Sequence, residues 1–122
     1  MNVSKVAPIL RMFDEDKAKE FYVDLLGFSI DWEQRFADGL PLYMQVSKDG
    51  CVLHLSEHYS DSCPGSAMRI QIDDIEAYFM KLQAKQEKHK DLQIRHMPWG
   101  SIDMSILDPF GNRLIFTNAI ST

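Results

Sequence analysis

The segment His54-Leu55-Ser56-Glu57-His58 has the residue types and spacing of a metal-binding motif. It reads H-x-x-E-H, the inverted form of the zinc-protease signature. That motif needs a helix, because only there do histidines four positions apart share one face. The segment directly follows an Asp49-Gly50 turn, and turn-forming residues from Tyr59 to Ser66 come immediately after it. We therefore predict a strand, on which His54 and His58 would lie about 13 Å apart, and no protease site.

No other arrangement of residues predicts catalysis. The 6 glycines are scattered, so the sequence offers no phosphate-binding loop, and it contains no G-x-S-x-G nucleophile elbow. Cys63 follows turn residues, lies beside Pro64 and has no evident base. Cys51 and Cys63 form no C-x-x-C pair, so we expect free thiols in a reducing compartment, the cytoplasm. We assign no catalytic residue.

The first half of the chain predicts a strand, a helix and three more strands. Val3 to Met12 is apolar enough for a buried strand. Asp14 can cap a helix whose apolar residues recur at helical spacing, and Gly27 is suited to end it. Three strands are then predicted from alternating residues, at Phe28 to Phe36, around Leu42 to Val46, and from Cys51 to about Glu57.

The second half repeats this order of elements. Met68, Ile70 and Ile72 alternate with polar residues, and Asp73 with Glu76 resembles a capping box at the start of a helix. Three strands follow, around Leu92 to Met97, Ser101 to Leu107 and Arg113 to Asn118. We predict a single domain over residues 1–122, with module one at about 3–58 and module two at about 66–119.

Five short motifs occur in an order that resembles a known family. They are Pro8-Ile9-Leu10-Arg11, Phe21-Tyr22, Leu26-Gly27-Phe28, Trp99-Gly100 and Asp108-Pro109-Phe110-Gly111-Asn112. From about Val6 to Asn118 the chain resembles the bleomycin resistance protein branch of the glyoxalase/vicinal oxygen chelate superfamily. The resemblance implies an α+β fold of two tandem βαβββ modules, each curving into a half-barrel. It also implies a homodimer with ligand grooves at or near the interface.

Enzymes of that superfamily hold vicinal substrate oxygens on a divalent ion, and the resemblance implies where its ligands would fall. Those positions are Ala7, His54, Ala67 and Ile115 in this sequence. Only His54 can coordinate, and one imidazole holds a divalent ion too weakly for a stable site. Glu57 and His58 are the neighbouring groups that could substitute. We predict no metal and no other cofactor.

Aromatic rings and a few polar groups remain as candidates for ligand binding. If the fourth strand turns His54 toward a pocket, Leu53 and Leu55 face the helix by alternation. In the bleomycin-binding proteins that this chain resembles, the Trp of a Trp-Gly pair lines the drug groove, which points to Trp99. We predict these ligand-binding residues: Trp32, Phe36, Tyr43, His54, Trp99 and Asp103. For Trp32, Phe36 and Trp99, the alternative is packing in the core.

The charge balance narrows the class of partner. The chain has 13 Lys and Arg against 18 Asp and Glu, a net charge of -5, and no basic run. We therefore predict no nucleic acid and no anionic membrane surface as a partner. No apolar stretch approaches the roughly 20 residues of a membrane span. Six carboxylates outnumber Arg35 in the groove strands and loops: Asp31, Glu33, Asp38, Glu57, Asp61 and Asp103. They favour a cationic ligand, although a solvated strand face is the alternative.

These observations predict a metal-free binding protein that sequesters a flat aromatic ligand, favouring a cationic one, in a dimer-interface groove. The alternative is a metal-dependent vicinal oxygen chelate enzyme of the glyoxalase, dioxygenase or fosfomycin-modifying type. A third hypothesis is an interaction domain that kept the dimer and lost the pocket.

Overall fold

The computed structural model describes residues 1–85 and 92–118, which form two compact units. The first unit comprises Met1–Ser66 and Pro109–Asn112, and the second comprises Ala67–Asp108 and the chain from Arg113 onward. Each unit contains a four-stranded sheet and a helical segment between its first two strands. The elements of the first unit are β1 (Ile9–Arg11), α1 (Glu15–Lys19), a π-helical segment (Glu20–Leu25), β2 (Ser29–Gln34), β3 (Tyr43–Lys48) and β4 (Cys51–Ser56).

Helix α1 begins where the sequence predicts it. The Asp14 carboxylate accepts a hydrogen bond from the backbone N–H of Lys17 at 3.0 Å, which satisfies one of the unpaired donors of the first turn. The predicted α-helical spacing does not continue, because the segment from Glu20 to Leu25 widens into a π-helix. The N–H of Leu26 there bonds the carbonyl of Phe21, five residues back. Gly27 ends the helix at a φ of +88°, as its type predicts.

The sheet of the first unit has the strand order β1-β4-β3-β2, with β1 parallel to β4 and the other pairs antiparallel. On β1, β3 and β4, one face of this sheet is buried and apolar, with Leu10, Met44, Val46, Leu53 and Leu55. The alternate residues of β3 and β4 point to the opposite face, here called the open face. Tyr43, Gln45 and His54 lie half-buried on it.

Strand β2 departs from the simple alternation that the sequence suggests. Its register against β3 shifts between Ile30 and Trp32, so that Asp31 is an extra residue in a β-bulge. The bulge allows Asp31 and Trp32 both to contact residues of the open face. Strand β2 ends at Gln34, so the prediction that it continues to Phe36 is wrong, and Phe36 is exposed beyond the strand.

The second unit repeats the order of the first. Its elements are β5 (Ala67–Gln71), α2 (Ile75–Lys85), β6 (Ile94–His96), β7 (Ile102–Leu107) and β8 (Arg113–Asn118), with strand order β5-β8-β7-β6. The helix is capped one residue later than predicted. Asp74, at a φ of +50°, accepts from the N–H of Ala77 at 3.3 Å, so Asp73 is not the capping residue.

The predicted α+β fold of two tandem βαβββ modules is confirmed. The first strand is shorter than predicted, because Val3 and Val6 are exposed and pairing begins at Ile9. The division into one domain with modules at about 3–58 and 66–119 stays a prediction, and its end at residue 119 lies outside the described residues. Neither of the described helices combines the length and apolar character that crossing a membrane requires.

Candidate functional site

The hairpin between β3 and β4 determines which side chains meet on the open face. Asp49 and Gly50 both have positive φ, which gives a tight two-residue turn. Gln45 and His54 stand four residues on either side of that turn and are cross-strand partners. Because Trp32 pairs with Gln45 across β2 and β3, the three residues form one row across the sheet.

Three aromatic rings cluster beside this row. The indole of Trp32 lies nearly parallel to the phenol of Tyr43, with ring centroids 5.8 Å apart and an interplanar angle of 10°. The imidazole of His54 packs edge-on against both, with centroid distances of 5.4 Å to Trp32 and 5.2 Å to Tyr43. Trp32 nevertheless remains 40% exposed. The cluster therefore presents aromatic surface to solvent, whereas a core cluster would bury it.

A chain of hydrogen bonds runs through the same residues. The Tyr43 hydroxyl lies 2.6 Å from Nδ1 of His54, and Nε2 of His54 lies 3.0 Å from Oε1 of Gln45. The Gln45 amide donates to Asp31 at 2.9 Å, and the Ser47 hydroxyl donates to the same carboxylate at 3.0 Å. Lys5 donates to Oε1 of Gln45 at 3.3 Å. Both ring nitrogens of His54 are thus engaged.

An open cavity of about 270 Å³ lies next to the cluster in the first unit. It is lined by Gln34, Arg35, Phe36, Tyr43, His58 and Asp61. Tyr43 belongs to both the cluster and the cavity. Phe36 is 87% exposed, so its ring is accessible to a bound molecule. The volume is just below the range of about 300–1,000 Å³ that is common for small-molecule sites.

The cation that lines the cavity is already paired with carboxylates. Arg35 forms ion pairs with Glu15 and with Glu57, the latter at 3.7 Å, and donates to the carbonyl of Leu40 at 2.8 Å. Asp61, by contrast, accepts from the hydroxyl of Ser56 at 2.6 Å and forms no ion pair within the described part of the chain. The cavity therefore holds a carboxylate whose charge no described side chain balances.

Two titratable groups of the cluster are shifted toward their neutral forms. Burial, followed by the charge of Asp61, raises the pKa of the Tyr43 phenol above its ordinary value. Burial, followed by the charge of Lys5, lowers the pKa of His54. Both pKa shifts favour the neutral forms, an uncharged imidazole at His54 and a protonated phenol at Tyr43.

In the second unit, the structure links Trp99 to Asp103 through Ser101. The indole N–H of Trp99 donates to the Ser101 hydroxyl at 2.8 Å, and that hydroxyl donates to Oδ1 of Asp103 at 2.9 Å. Thr117, the cross-strand partner of Asp103, donates to the same oxygen at 2.7 Å. Arg69 donates to Oδ2 at 3.0 Å. Trp99 stays 66% exposed while its N–H is held.

The ionised form of Asp103 is stabilised despite its burial. Burial opposes ionisation, but the hydrogen bonds from Thr117, Ser101 and Arg69 outweigh it and hold the pKa of Asp103 below its ordinary value. Asp103 is thus a buried anchor that holds neighbouring groups in place.

The predicted site residues therefore fall into two groups. Trp32, Tyr43 and His54 meet on the open face, with Phe36 lining the adjacent cavity. Trp99 and Asp103 belong to the network of the second unit. Their role in binding stays a prediction.

The residues predicted from sequence do not include Gln45, and Asp31 and Asp61 are noted there only for their negative charge. The sequence does contain a signal for Gln45, because Gln45 lies as many residues before the Asp49-Gly50 turn as His54 lies after it. In a hairpin with a two-residue turn, such positions are cross-strand partners. The bulge that brings Asp31 toward Gln45 has no clear signal in the residue types.

Comparison with known proteins assigns the family. The sequence model described as "Glyoxalase superfamily protein" matches residues 1–122. The chain belongs to the glyoxalase superfamily. The predicted resemblance is thereby confirmed, while no match was found among curated proteins.

Several solved structures share the fold of this chain at low sequence identity. A bleomycin-binding protein complexed with bleomycin is 17% identical, with a TM-score of 0.75 over 97% of this chain and 100% of that one. TnmS3, an antibiotic binding protein from Streptomyces sp. CB03234, is 24% identical, with a TM-score of 0.72 over 98% and 99% of the two chains. TioX from Micromonospora sp. ML1 is 22% identical, with a TM-score of 0.75 over 97% and 100%.

The residues of this glyoxalase superfamily member do not fit the divalent ion of the superfamily's enzymes. Of the four positions implied by the family pattern, only His54 has a ligating side chain, and both of its ring nitrogens are engaged by Tyr43 and Gln45. Glu57, the neighbouring candidate, accepts from the N–H of Leu42 and pairs with Arg35. Within residues 1–85 and 92–118, no three His, Cys, Asp or Glu side chains converge as a metal site.

Proposed function

We propose that this protein binds a flat aromatic small molecule, without a metal, and acts by sequestering it. The observation that carries the proposal is the accessible aromatic surface around one open cavity. Phe36 and Tyr43 line the cavity, and Trp32 stacks on Tyr43 while remaining exposed. Exposed rings at a cavity are typical of binding sites, because burying them against a ligand removes apolar surface from water.

The relatives support this type of ligand. The bleomycin-binding protein and TnmS3, described as an antibiotic binding protein, share the fold over nearly the full length of both chains. Sequestration needs an affinity of about micromolar or better, which corresponds to about -8 kcal/mol. Ring stacking contributes about 0.5–1.5 kcal/mol for each aromatic pair beyond the burial of area, so two or three rings supply about 1–4.5 kcal/mol of it, and burial of apolar area must supply the rest.

The charges around the cavity favour a cationic ligand. Among the ion pairs of the described residues, three carboxylates, Glu15, Glu33 and Glu57, contact two cations, Lys19 and Arg35. The carboxylate of Asp61 at the cavity adds to this excess. A positive ring system would therefore gain attraction as well as stacking. The same charge balance, with a net charge of -5, disfavours nucleic acid as the partner.

Titration with bleomycin, phleomycin and a panel of cationic aromatic dyes tests the proposal. Tryptophan fluorescence should change on binding of at least one of them, because Trp32 stacks on a ring that lines the cavity. Phe36→Leu should weaken that binding by about three- to tenfold, the loss of one stacking contact. Phe79→Leu makes the same change on helix α2 of the second unit and should leave the affinity unchanged. A flat fluorescence response to every compound would refute the proposal and favour an interaction domain.

The metal-free state and the homodimer are parts of the same proposal. Elemental analysis of protein purified without chelators should find no stoichiometric divalent ion, and one ion per subunit would favour the enzyme alternative. We further propose that the protein forms a homodimer in the cytoplasm. The exposed apolar side chains of Val3, Val6 and Ile9 offer surface for such an interface. Sedimentation equilibrium should give twice the 14.1 kDa mass of the chain.

A further inference from the structure

The orientation of the Gln45 side-chain amide is determined by charges on both of its ends. Its Nε2 group faces the Asp31 carboxylate at 2.9 Å, and its Oε1 atom faces the Lys5 ammonium at 3.3 Å. A flipped amide would place N–H groups against the ammonium and oxygen against the carboxylate. Both contacts would be repulsive, so Oε1 of Gln45 is the atom that faces His54.

This orientation determines the proton position on His54. Oε1 of Gln45 can only accept, so Nε2 of His54, 3.0 Å away, must carry the proton. A neutral imidazole then has a lone pair on Nδ1, and Nδ1 lies 2.6 Å from the Tyr43 hydroxyl. The Tyr43 hydroxyl must therefore donate to His54. The hydrogen bonds are therefore donated in one direction, from Tyr43 to His54, from His54 to Gln45 and from Gln45 to Asp31. We call this chain of four residues the His54 relay.

The direction of this relay decides what Tyr43 can offer to a ligand. Its only proton is directed at His54, so the phenol oxygen has lone pairs but no donor for the cavity. Asp61 lines the same cavity, and its carboxylate can only accept. Arg35, the cation on the lining, has Glu15 and Glu57 as partners. Gln34 and His58, the other polar residues of the lining, carry N–H groups, so Tyr43 and Asp61 are the side chains of the lining that offer acceptors without a donor.

We infer that the His54 relay makes Tyr43 a specificity-determining residue. The cavity then selects aromatic ligands with a cationic N–H group, such as an ammonium or amidinium, because that group can donate hydrogen bonds to Tyr43 and Asp61. This inference rests on the proposed function and narrows its ligand class. A cation without N–H groups would keep the stacking and the attraction to Asp61 but would lack the hydrogen bonds. When such a cation binds, the acceptors of Tyr43 and Asp61 are covered but left without a donor. The cost of these unpaired acceptors favours the N–H cation over the cation that lacks N–H groups.

Four probes with one ring system separate these contributions. They are 2-naphthylmethylammonium, its N,N,N-trimethyl analogue, neutral 2-methylnaphthalene and anionic 2-naphthoate, each titrated into the 15N-labelled full chain by NMR. The primary ammonium should bind about tenfold more tightly than the trimethylammonium, a difference of about 1.4 kcal/mol. The neutral and anionic probes should bind more weakly still. Equal affinity for the two cations would overturn the inference and leave the proposed function standing.

Two variants and one direct measurement complete the test. Tyr43→Phe keeps the ring but removes the acceptor, so the preference for the primary ammonium should fall at least threefold while the ring still binds. Asp73→Asn, which neutralises an exposed carboxylate of the second unit outside the cavity lining, should leave the preference unchanged. Long-range 1H–15N NMR of His54 at pH 7.5, without ligand, should show the Nε2–H form. A proton on Nδ1 would overturn the relay even if the probes bind. Failure of all four probes to bind would overturn the ligand class inferred here, whereas the proposed function is decided by the titrations with bleomycin, phleomycin and the dyes.

Discussion

Replacing Asp103 by Asn should destabilise the second unit and reveal how Trp99 is held. The carboxylate accepts three hydrogen bonds, from Ser101 and Thr117 at Oδ1 and from Arg69 at Oδ2. An Asn side chain can keep its oxygen toward Ser101 and Thr117. Its NH2 group would then face the Arg69 guanidinium, where a donor meets a donor.

The size of the effect follows from the three hydrogen bonds. A hydrogen bond to a charged group contributes about 1.5–3 kcal/mol and a neutral one about 0.5–1.5 kcal/mol, so the bonds from Ser101 and Thr117 should each weaken by about 1 kcal/mol. The side chain of Arg69 is 48% exposed, so solvent screening limits the loss of its ion pair to about 0.5–1 kcal/mol. We expect a total loss of about 2–3 kcal/mol in the free energy of unfolding. Asp38→Asn, at an exposed position, should change it by less than about 0.5 kcal/mol.

Urea unfolding followed by circular dichroism measures this difference, and its pH dependence tests the cause. The pKa of Asp103 is lowered in the folded state, so its contribution is present above the unfolded value of about 3.9 and is lost as the pH falls toward the folded pKa. The wild-type protein should therefore be more stable than Asp103→Asn by the full amount at pH 7 and by clearly less at pH 3. An equal difference at both pH values would refute the assignment of the stabilisation to the ionised carboxylate.

Two further changes test the first unit, and a residue of the second unit serves as a control. Leu55→Ala removes a fully buried side chain and should lower the free energy of unfolding in urea by about 2–5 kcal/mol. Leu107→Ala, at a site that is 62% exposed, should lower it by less than about 0.5 kcal/mol. Similar losses for the two variants would contradict the burial of Leu55. Asp14→Ala removes the cap of α1 and should cost about 1 kcal/mol in thermal unfolding, and an unchanged midpoint would show that the cap contributes nothing.

The order of elements could be predicted because each depends on local signals. Asp14 and Gly27 bound the first helix as their types predict, and the alternation of Met44 and Val46 places β3 correctly. Helix α2 shows the limit of such signals. Asp73 and Asp74 are both suitable caps by type, and the cap formed at the second, so the choice depends on tertiary structure.

The candidate site was less predictable because it depends on register. His54 and Tyr43 could be assigned to neighbouring strands from sequence, but the stacking of Trp32 on Tyr43 depends on the bulge at Asp31. A bulge moves one residue across the sheet without changing composition, so hydrophobic alternation cannot detect it. The same bulge brings the Asp31 carboxylate to the Gln45 amide, which is why the relay emerges only from the structure.

The two units place different residues in comparable roles. In each, the two central strands carry a cross-strand polar pair, Gln45 with His54 in one and Asp103 with Thr117 in the other. The donor of an exposed or half-buried aromatic residue points into each network, the hydroxyl of Tyr43 in the first unit and the indole N–H of Trp99 in the second. Because these protons are directed inward, Tyr43 presents a π face and an oxygen lone pair outward, and Trp99 presents a π face, all of which are electron-rich. If the proposed cationic aromatic ligand binds, we expect its preference for such surfaces to depend on the direction of the hydrogen bonds as well as on the excess of carboxylates.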